Sequence, residues 1–404
     1  MSDKDKLKQS IKAEVDSLLP RLVEVSDWIG RHPELGSEEY ESSKLLADEL
    51  EKHGFKIERD LLGMETAFLA TYRGRAPGPR VAFLAEYDAL PGVGHGCGHN
   101  IIGTAAVGAG ISLSRLLRDL PGEVLVFGTP AEEGHGPSAS AKKRMVDEGL
   151  FNDVDVVMMI HPTSGRSMVS TSSLAIGSVT IVFKGKTSHA AASPELGINA
   201  LNAAMITYMA VHANRQQFRR DANAVIHGIL TEGGLASNVI PDRAVLQYGV
   251  RSSDDSYVPE LIKMVENCAR GAAIATGCEV EIVSRPGLKS KVRNETLEKL
   301  FARVFQELGV DAEDLAVSLA RPPQASTDFA DVTHVVPGIT AMIAITPKRV
   351  AGHSRELAEA TLSEDGHRGL EIGTKMLAVA GIEVLTDPQL LQEIKRAQKK
   401  EEKT

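Results

Sequence analysis

Two glycine-rich turns carry the side chains best suited to chemistry. Gly94-His95-Gly96-Cys97-Gly98-His99-Asn100 sets a thiol and an imidazole two residues apart, and Pro130-Ala131-Glu132-Glu133-Gly134 sets two carboxylates side by side. Thiolate, imidazole and carboxylate are the groups that ligate divalent metals at neutral pH. His161, before Pro162, and His353, after Gly352, add two imidazoles in comparable settings. Cys97, His99, Glu133, His161 and His353 exceed the ligand set of one structural zinc. They suit two ions sharing a ligand, with positions left for water and substrate. Neighbouring side chains point different ways, so Glu132 is left for another task beside Glu133. That task is to take a proton from an attacking water and return it to a leaving amine. Taken singly, each residue has a plainer reading: a buried apolar cysteine, a hydrogen-bonded core histidine, a solvated turn glutamate. Together they are the equipment of a hydrolase.

The elements that must position these residues follow from the hydrophobic pattern. Val81–Ala85 precedes the first turn, Val124–Phe127 the second, and Val154–Ile160 leads into His161. Short continuous apolar runs alternating with helical periodicity predict strands of a largely parallel sheet. Loops at the carboxyl ends of such strands are where ligands bind. Asp88, in Glu86-Tyr87-Asp88-Ala89-Leu90-Pro91, sits at another strand end, where a carboxylate orients a ligating imidazole; Asp328 is a weaker candidate of that kind. Helices are expected over 6–53 with a break at 31–36, and over 101–117, 141–148, 294–308 and 356–380. The tail 392–404 is expected to fray. Between 175 and 288 the pattern changes to strand, helix (194–214), two strands, helix (256–275) and strand, the ferredoxin-like β-α-β-β-α-β order. The expected fold is therefore α/β: a catalytic domain (1–174 and 289–404) with a mostly parallel mixed sheet, interrupted by a smaller α+β domain (175–288).

Composition narrows the partners. The chain has 404 residues, more than one ordinary core holds, and a formal net charge of −9. That excess of acid argues against nucleic acid and an anionic membrane surface. No apolar run approaches the roughly 20 residues of a membrane span. The start Met1-Ser2-Asp3-Lys4 lacks an apolar leader, and three cysteines form no disulfide framework, so a cytoplasmic location is expected.

The ordered set Asp88-Ala89-Leu90-Pro91, Cys97-Gly98-His99-Asn100, Pro130-Ala131-Glu132-Glu133, His161-Pro162 and His353 resembles the aminoacylase and carboxypeptidase G family of co-catalytic metallohydrolases. The nearest branch is the amidohydrolases that include hippurate hydrolase, indole-acetyl-amino-acid hydrolase, p-aminobenzoyl-glutamate hydrolase and β-alanyl-lysine-type dipeptidases. The resemblance implies a zinc-peptidase-like catalytic domain with two divalent ions, zinc first and manganese or cobalt as alternatives. Cys97 would bridge them, His99, Glu133, His161 and His353 would complete the shells, and Glu132 would be the general base. The interrupting domain would be a lid that forms a homodimer or larger homo-oligomer. On it, His189 in Gly185-Lys186-Thr187-Ser188-His189-Ala190 would stabilise the oxyanion, Asn238 would contact substrate, and Arg251 would hold the substrate carboxylate. Glu86 and Asn100 depart from the branch, where aspartate is frequent. The implied reaction is hydrolysis of the amide bond of an N-acyl amino acid or a small dipeptide. A strict dipeptidase, a non-catalytic binding protein on the same scaffold and a structural-zinc protein are the alternatives.

Overall fold

The computed structural model describes residues 3–323 and 325–401. The chain clusters into two units. The larger takes the chain as far as Thr171, Lys291–Arg321, and the chain from Asp331 onward; the smaller takes Ser172–Ser290 and Pro322–Ala330.

In chain order the strands are β1 (Lys56–Arg59), β2 (Phe68–Arg73), β3 (Arg80–Ala85), β4 (Glu123–Gly128), β5 (Val156–Thr163), β6 (Ser167–Met168), β7 (Ala175–Lys184), β8 (Val225–Glu232), β9 (Arg243–Ser252), β10 (Glu279–Pro286), β11 (Ala312–Glu313) and β12 (Gly338–Ala344). The larger unit holds an eight-stranded mixed sheet, β1-β2-β4-β3-β5-β12-β6-β11. Its centre, β4-β3-β5-β12, is parallel, while β1 and β2 add an antiparallel edge. The central strands are buried because they read as unbroken apolar runs; Val81–Ala85 and Val124–Phe127 are at most 1% exposed. The helix Asp3–Arg31 lays Ile11, Val15, Leu18, Leu22, Val25 and Ile29, three or four residues apart, into the core. The helix His99–Leu117 packs closely on the sheet. At its Gly103, a Cβ would lie 2.6 Å from the carbonyl oxygen of Glu86. This helix is long and apolar enough to cross a membrane, contrary to the expectation from composition, but 89% of its span is buried in protein.

The smaller unit is an antiparallel sheet, β10-β7-β9-β8. The helices Ala200–Asn214 and Val258–Thr276 pack on it around Val179, Ile181, Phe183, Leu246, Tyr248, Val250 and Val265. β8 is an edge strand, and Val225, Ile229 and Leu230 on it are 41%, 61% and 40% exposed.

Several expected boundaries move. The helix expected over 194–214 is a short 3-10 turn, Pro194–Leu196, then a helix from Ala200: Lys186 and Ile198 pair as a β-bridge, and Asn199 caps the helix by accepting the N–H groups of Leu201 and Asn202. The helix expected over 356–380 is two, Arg355–Thr361 and Glu364–Thr386, because Ser363 caps the second through the Gly366 N–H. His161 and Pro162 lie inside β5 rather than after it. β3 pairs with β5 only as far as Met158, so the missing N–H of Pro162 breaks no ladder on that side. The tail does not fray at 392. Pro388–Glu401 is helical, with Ile394 buried and Lys395 bonded to Asp155; residues 402–404 lie outside the described residues.

Candidate metal centre

Three adjoining strands and one loop bring the expected donors together. β3 runs into Glu86-Tyr87-Asp88, and the chain then turns to Cys97 and enters the helix at His99. Gly98 sits at that turn with φ 83°, and a Cβ there would lie 2.6 Å from Pro162 Cγ, so conformation and space both demand glycine. β4 leads to Glu132 and Glu133 through Ala131, whose φ of 56° is left-handed. β5 carries His161. His353 is also left-handed, φ 59°, and its N–H donates to the Gly96 carbonyl at 3.0 Å. Such non-glycine conformations persist only where surrounding contacts hold them, and they concentrate at functional sites.

Cys97, His99 and His161 offer donor atoms within 4.8 Å of one another, as do Cys97, Glu133 and His353. Cys97 is common to both groups. Its Sγ is 3.3 Å from His161 Nε2, and Glu133 Oε1 lies 3.4 Å from His353 Nε2 and 3.9 Å from His99 Nε2. His99, Glu132 and Glu133 form a further group of the same size. Asp88 orients two of these residues: Oδ1 accepts His99 Nδ1–H at 2.8 Å, and Oδ2 accepts the Glu133 N–H at 3.0 Å. His161 is oriented likewise, its Nδ1 donating to the Pro162 carbonyl at 2.7 Å. A carboxylate or carbonyl on Nδ1 leaves the Nε2 lone pair for a cation. His99 Nε2 and Glu133 Oε1 are buried and have no hydrogen-bond partner among the described residues. Buried polar atoms are rarely left so, and thiol, imidazole and carboxylate donors fit divalent ions well.

The model of peptidase family M20/M25/M40 matches residues 82–378, a span that contains all of these residues. The chain belongs to this family. Membership makes it a metal-dependent hydrolase of amide bonds. It is similar to Xaa-Arg dipeptidase of Mus musculus, 34% identical over 96% of this chain and 91% of the relative. It is also similar to one of the subunits of p-aminobenzoyl-glutamate hydrolase from Escherichia coli, 34% identical over 73% of this chain and 65% of the relative. Among solved structures, the Bacillus subtilis YxeP protein, described as a dinuclear metal-binding peptidase of family M20, superposes with a TM-score of 0.70. That match is 23% identical and covers 92% of this chain and 99% of the other, so it speaks to the fold.

The electrostatics of this M20 site follow from burial and pairing. Burial pushes the Cys97 thiol up to about 12, against the opposing pull of His99, so the metal-free residue is a thiol. Burial pushes His161 down to about 4. For His99 burial works the same way, but the Asp88 carboxylate and Cys97 outweigh it and hold the imidazole well above its usual range. Burial would raise Asp88, yet His99 and the Glu133 N–H bring it to about 2. Binding of a cation at Cys97 therefore requires proton release.

Sequence reasoning missed two parts of the site. Glu86 is fully buried, with Oε1 2.8 Å from the Nζ of fully buried Lys142 and Oε2 3.5 Å from His99 Nε2. Glu86 carried a signal, a charged residue continuing an apolar strand. Lys142, amid Ala141-Lys142-Lys143-Arg144, reads as surface. Glu39, also buried, accepts the Ala131 N–H at the start of the Glu132 turn.

His189, Asn238 and Arg251 belong to the smaller unit. His189 and Asn238 are exposed. His189 Nδ1 accepts the N–H groups of Ala191 and Ala192 at 3.2 and 3.1 Å, which leaves the hydrogen on Nε2 as a donor. The Asn238 carbonyl accepts the Ala190 N–H at 2.9 Å, and Arg251 Nη1 donates to Ser326 Oγ at 3.1 Å. Asp328 is buried in the same unit.

Proposed function

We propose that this chain hydrolyses small dipeptides or N-acyl amino acids at a pair of divalent ions, zinc first and manganese or cobalt as alternatives. The observation that carries this reading is Cys97 common to two donor groups, with Glu132 beside the ligand Glu133. Cys97, His99 and His161 would hold one ion, and Cys97, Glu133 and His353 the other. When bound, the ions supply Lewis acidity and make water a nucleophile near neutral pH. Glu132 takes the proton of the attacking water and delivers it to the leaving nitrogen. Asp88 fixes the His99 tautomer and the Glu133 backbone.

The smaller unit is read as the lid. His189, with Nε2–H as a donor, would meet the developing oxyanion; Asn238 would contact substrate, and Arg251 would pair with the substrate carboxylate. The open edge of β8, together with exposed Met205, Ile206 and Met209 at 48%, 41% and 68%, supports homodimerisation through this unit. The thiols of Cys97, Cys268 and Cys278 are all free, in keeping with a reducing cytoplasm. Similarity to Xaa-Arg dipeptidase over 96% of the chain makes dipeptides ending in arginine the first substrates to test, with β-alanyl dipeptides and N-acyl amino acids after them.

The test is a panel of these substrates with protein stripped of metal and resupplied with zinc or manganese. Turnover should return with metal, and Glu132→Ala should lower kcat by more than about 10²-fold with metal content unchanged. Full activity in Glu132→Ala would remove the general base. Bound metal at one ion or fewer per chain, with no turnover, would overturn the two-ion reading.

A further inference from the structure

The turn that carries Glu132 and Glu133 is held from a segment with no part in that chemistry. Glu39, just before the helix Tyr40–Lys52, is 0% exposed. Its Oε1 accepts the Ala131 N–H at 2.8 Å, and its Oε2 accepts the Thr66 hydroxyl at 2.9 Å. The neighbouring Ser37 holds the far end of the same loop: its hydroxyl donates to the His135 carbonyl at 3.0 Å and accepts the Ser138 N–H at 2.9 Å. A Cβ on Gly36 would lie 3.0 Å from Ala131 Cα, so the two segments touch at the backbone.

Ala131 is left-handed with φ 56° although it is not a glycine, unlike Gly134 at the end of the same turn, whose φ is 82°. A backbone of that kind is kept only by groups that outbid its relaxation. The amide on one side of Glu132, that of Ala131, is bound by Glu39; the amide of Glu133, on the other, is bound by Asp88. Two buried carboxylates thus pin the backbone on both sides of Glu132. Asp88 does so while serving His99, whereas Glu39 touches no proposed metal donor. We propose that Glu39 is a positioning residue for catalysis, holding the left-handed turn at Ala131 so that Glu132 and Glu133 point to their separate tasks. This rests on the reading of Glu132 as the proton carrier.

Burial pushes the Glu39 carboxyl up to about 7, so both protonation states are populated at neutral pH. In either state Oε1 keeps a lone pair for the Ala131 N–H, so the clamp needs an oxygen acceptor of the right reach and not a charge. Gln at position 39 keeps that oxygen and can donate its amide to Thr66. Asp keeps the charge but is one methylene short.

The experiment compares Glu39→Ala, Glu39→Gln, Glu39→Asp and Glu132→Gln, all metal-loaded, for kcat, KM, metal content and thermal unfolding. Displacement of a catalytic group by about 1 Å can cost on the order of 10²-fold. Glu39→Ala should lose about 10- to 100-fold in kcat with KM and metal content nearly unchanged. Glu39→Gln should restore kcat to within about 3-fold of the parent, and Glu39→Asp should not. A merely structural role would lower the unfolding temperature and leave kcat per folded, metal-loaded molecule intact. That result, or Gln no better than Asp, overturns the proposal, and if Glu39→Ala fails to fold the Gln–Asp comparison still decides. Glu39→Ala active beside a dead Glu132→Gln removes the clamp alone; an active Glu132→Gln removes the reading beneath it as well.

Discussion

The two units prepare their polar residues in opposite ways. In the larger unit most candidate donors are steered by a neighbouring group: His99 and the Glu133 amide by Asp88, His161 by the Pro162 carbonyl, the turn before Glu132 by Glu39, while exposed His353 is placed through its own N–H on the Gly96 carbonyl. In the smaller unit His189 and Asn238 stand exposed on loops, and their neighbours are backbone groups of those loops. Apolar surface is divided the same way. Met209, Ile229 and Leu235 are 68%, 61% and 106% exposed, all in the smaller unit, while the larger unit exposes Leu35, Tyr40, Val317 and Val335 at 36% to 52%. A cluster of donors that must bind a cation needs its geometry built before the cation arrives, because each buried lone pair has lost water. His189, exposed on its loop and outside any such donor group, keeps its water and acquires a task only when substrate or another chain comes to it.

The sharpest way to break that contrast is at His189. If the exposed imidazole meets the oxyanion, His189→Ala should lower kcat by about 10²–10³-fold and leave metal content untouched. Steady-state kinetics with elemental analysis reads both. Unchanged kcat would make His189 a surface residue and confine the chemistry to the larger unit. Asp88→Asn tests the other side with a smaller expected effect. The amide group offers one acceptor where the carboxylate offers two, so either the His99 Nδ1–H or the Glu133 N–H is left without its bond. Metal affinity, measured by competition with a chelator, should fall by about 10- to 100-fold. An unchanged affinity would mean that the buried steering contributes nothing to metal binding.

Much of the larger unit was legible because its central strands are continuous apolar runs, with Cys97, His99, Glu132 and Glu133 in turns that follow them and His161 near the end of β5. Cys97, His99, Glu133, His161 and His353 could be chosen together since metal-ligating types at successive strand ends are a pattern in the chain itself, and their donor atoms fall into two groups that share Cys97. What escaped depends on partners distant in sequence. Glu39 sits in Glu38-Glu39-Tyr40-Glu41, which reads as a solvated helix start; only its 92-residue reach to Ala131 reveals a buried acceptor. Lys142 has the same history with Glu86. Three of the misplaced boundaries share one cause. Ser363, Asn199 and the unpaired side of Pro162 are local polar or backbone decisions that hydrophobic periodicity does not register. In the smaller unit β7 alternates clearly, but nothing in the order of residues says what its open edge and exposed methionines meet.

The smallest expected effect concerns charge rather than catalysis, and again it sets one unit against the other. In the larger unit the Glu383 side chain is 7% exposed and receives both Nη groups of Arg303 at 2.8 Å, with Lys8 Nζ also at 2.8 Å. Burial alone would push its carboxyl up, but Arg303 and Lys8 outweigh it and hold the pKa below the ordinary range. The smaller unit has a cluster of similar chemistry, Arg219 with Asp221 and Asp254, lying open to water. Asp254 too is depressed, by the Ser256 hydroxyl first and then by Arg219. A depressed carboxyl stabilises the folded state above its unfolded pKa, near 4.5 for Glu383, and that stability drains away as pH falls below it towards the folded value. Glu383→Gln should therefore cost about 1–2 kcal/mol at pH 7 and flatten the loss of thermal stability between neutral pH and the acid side of 4.5. Asp254→Asn, which keeps an oxygen for the Ser256 N–H, should leave both the unfolding temperature and its pH dependence nearly unchanged, because water already screens Arg219. If the two variants shift the acid limb equally, burial does not set the worth of these ion pairs, and the contrast between the units does not extend to their stability.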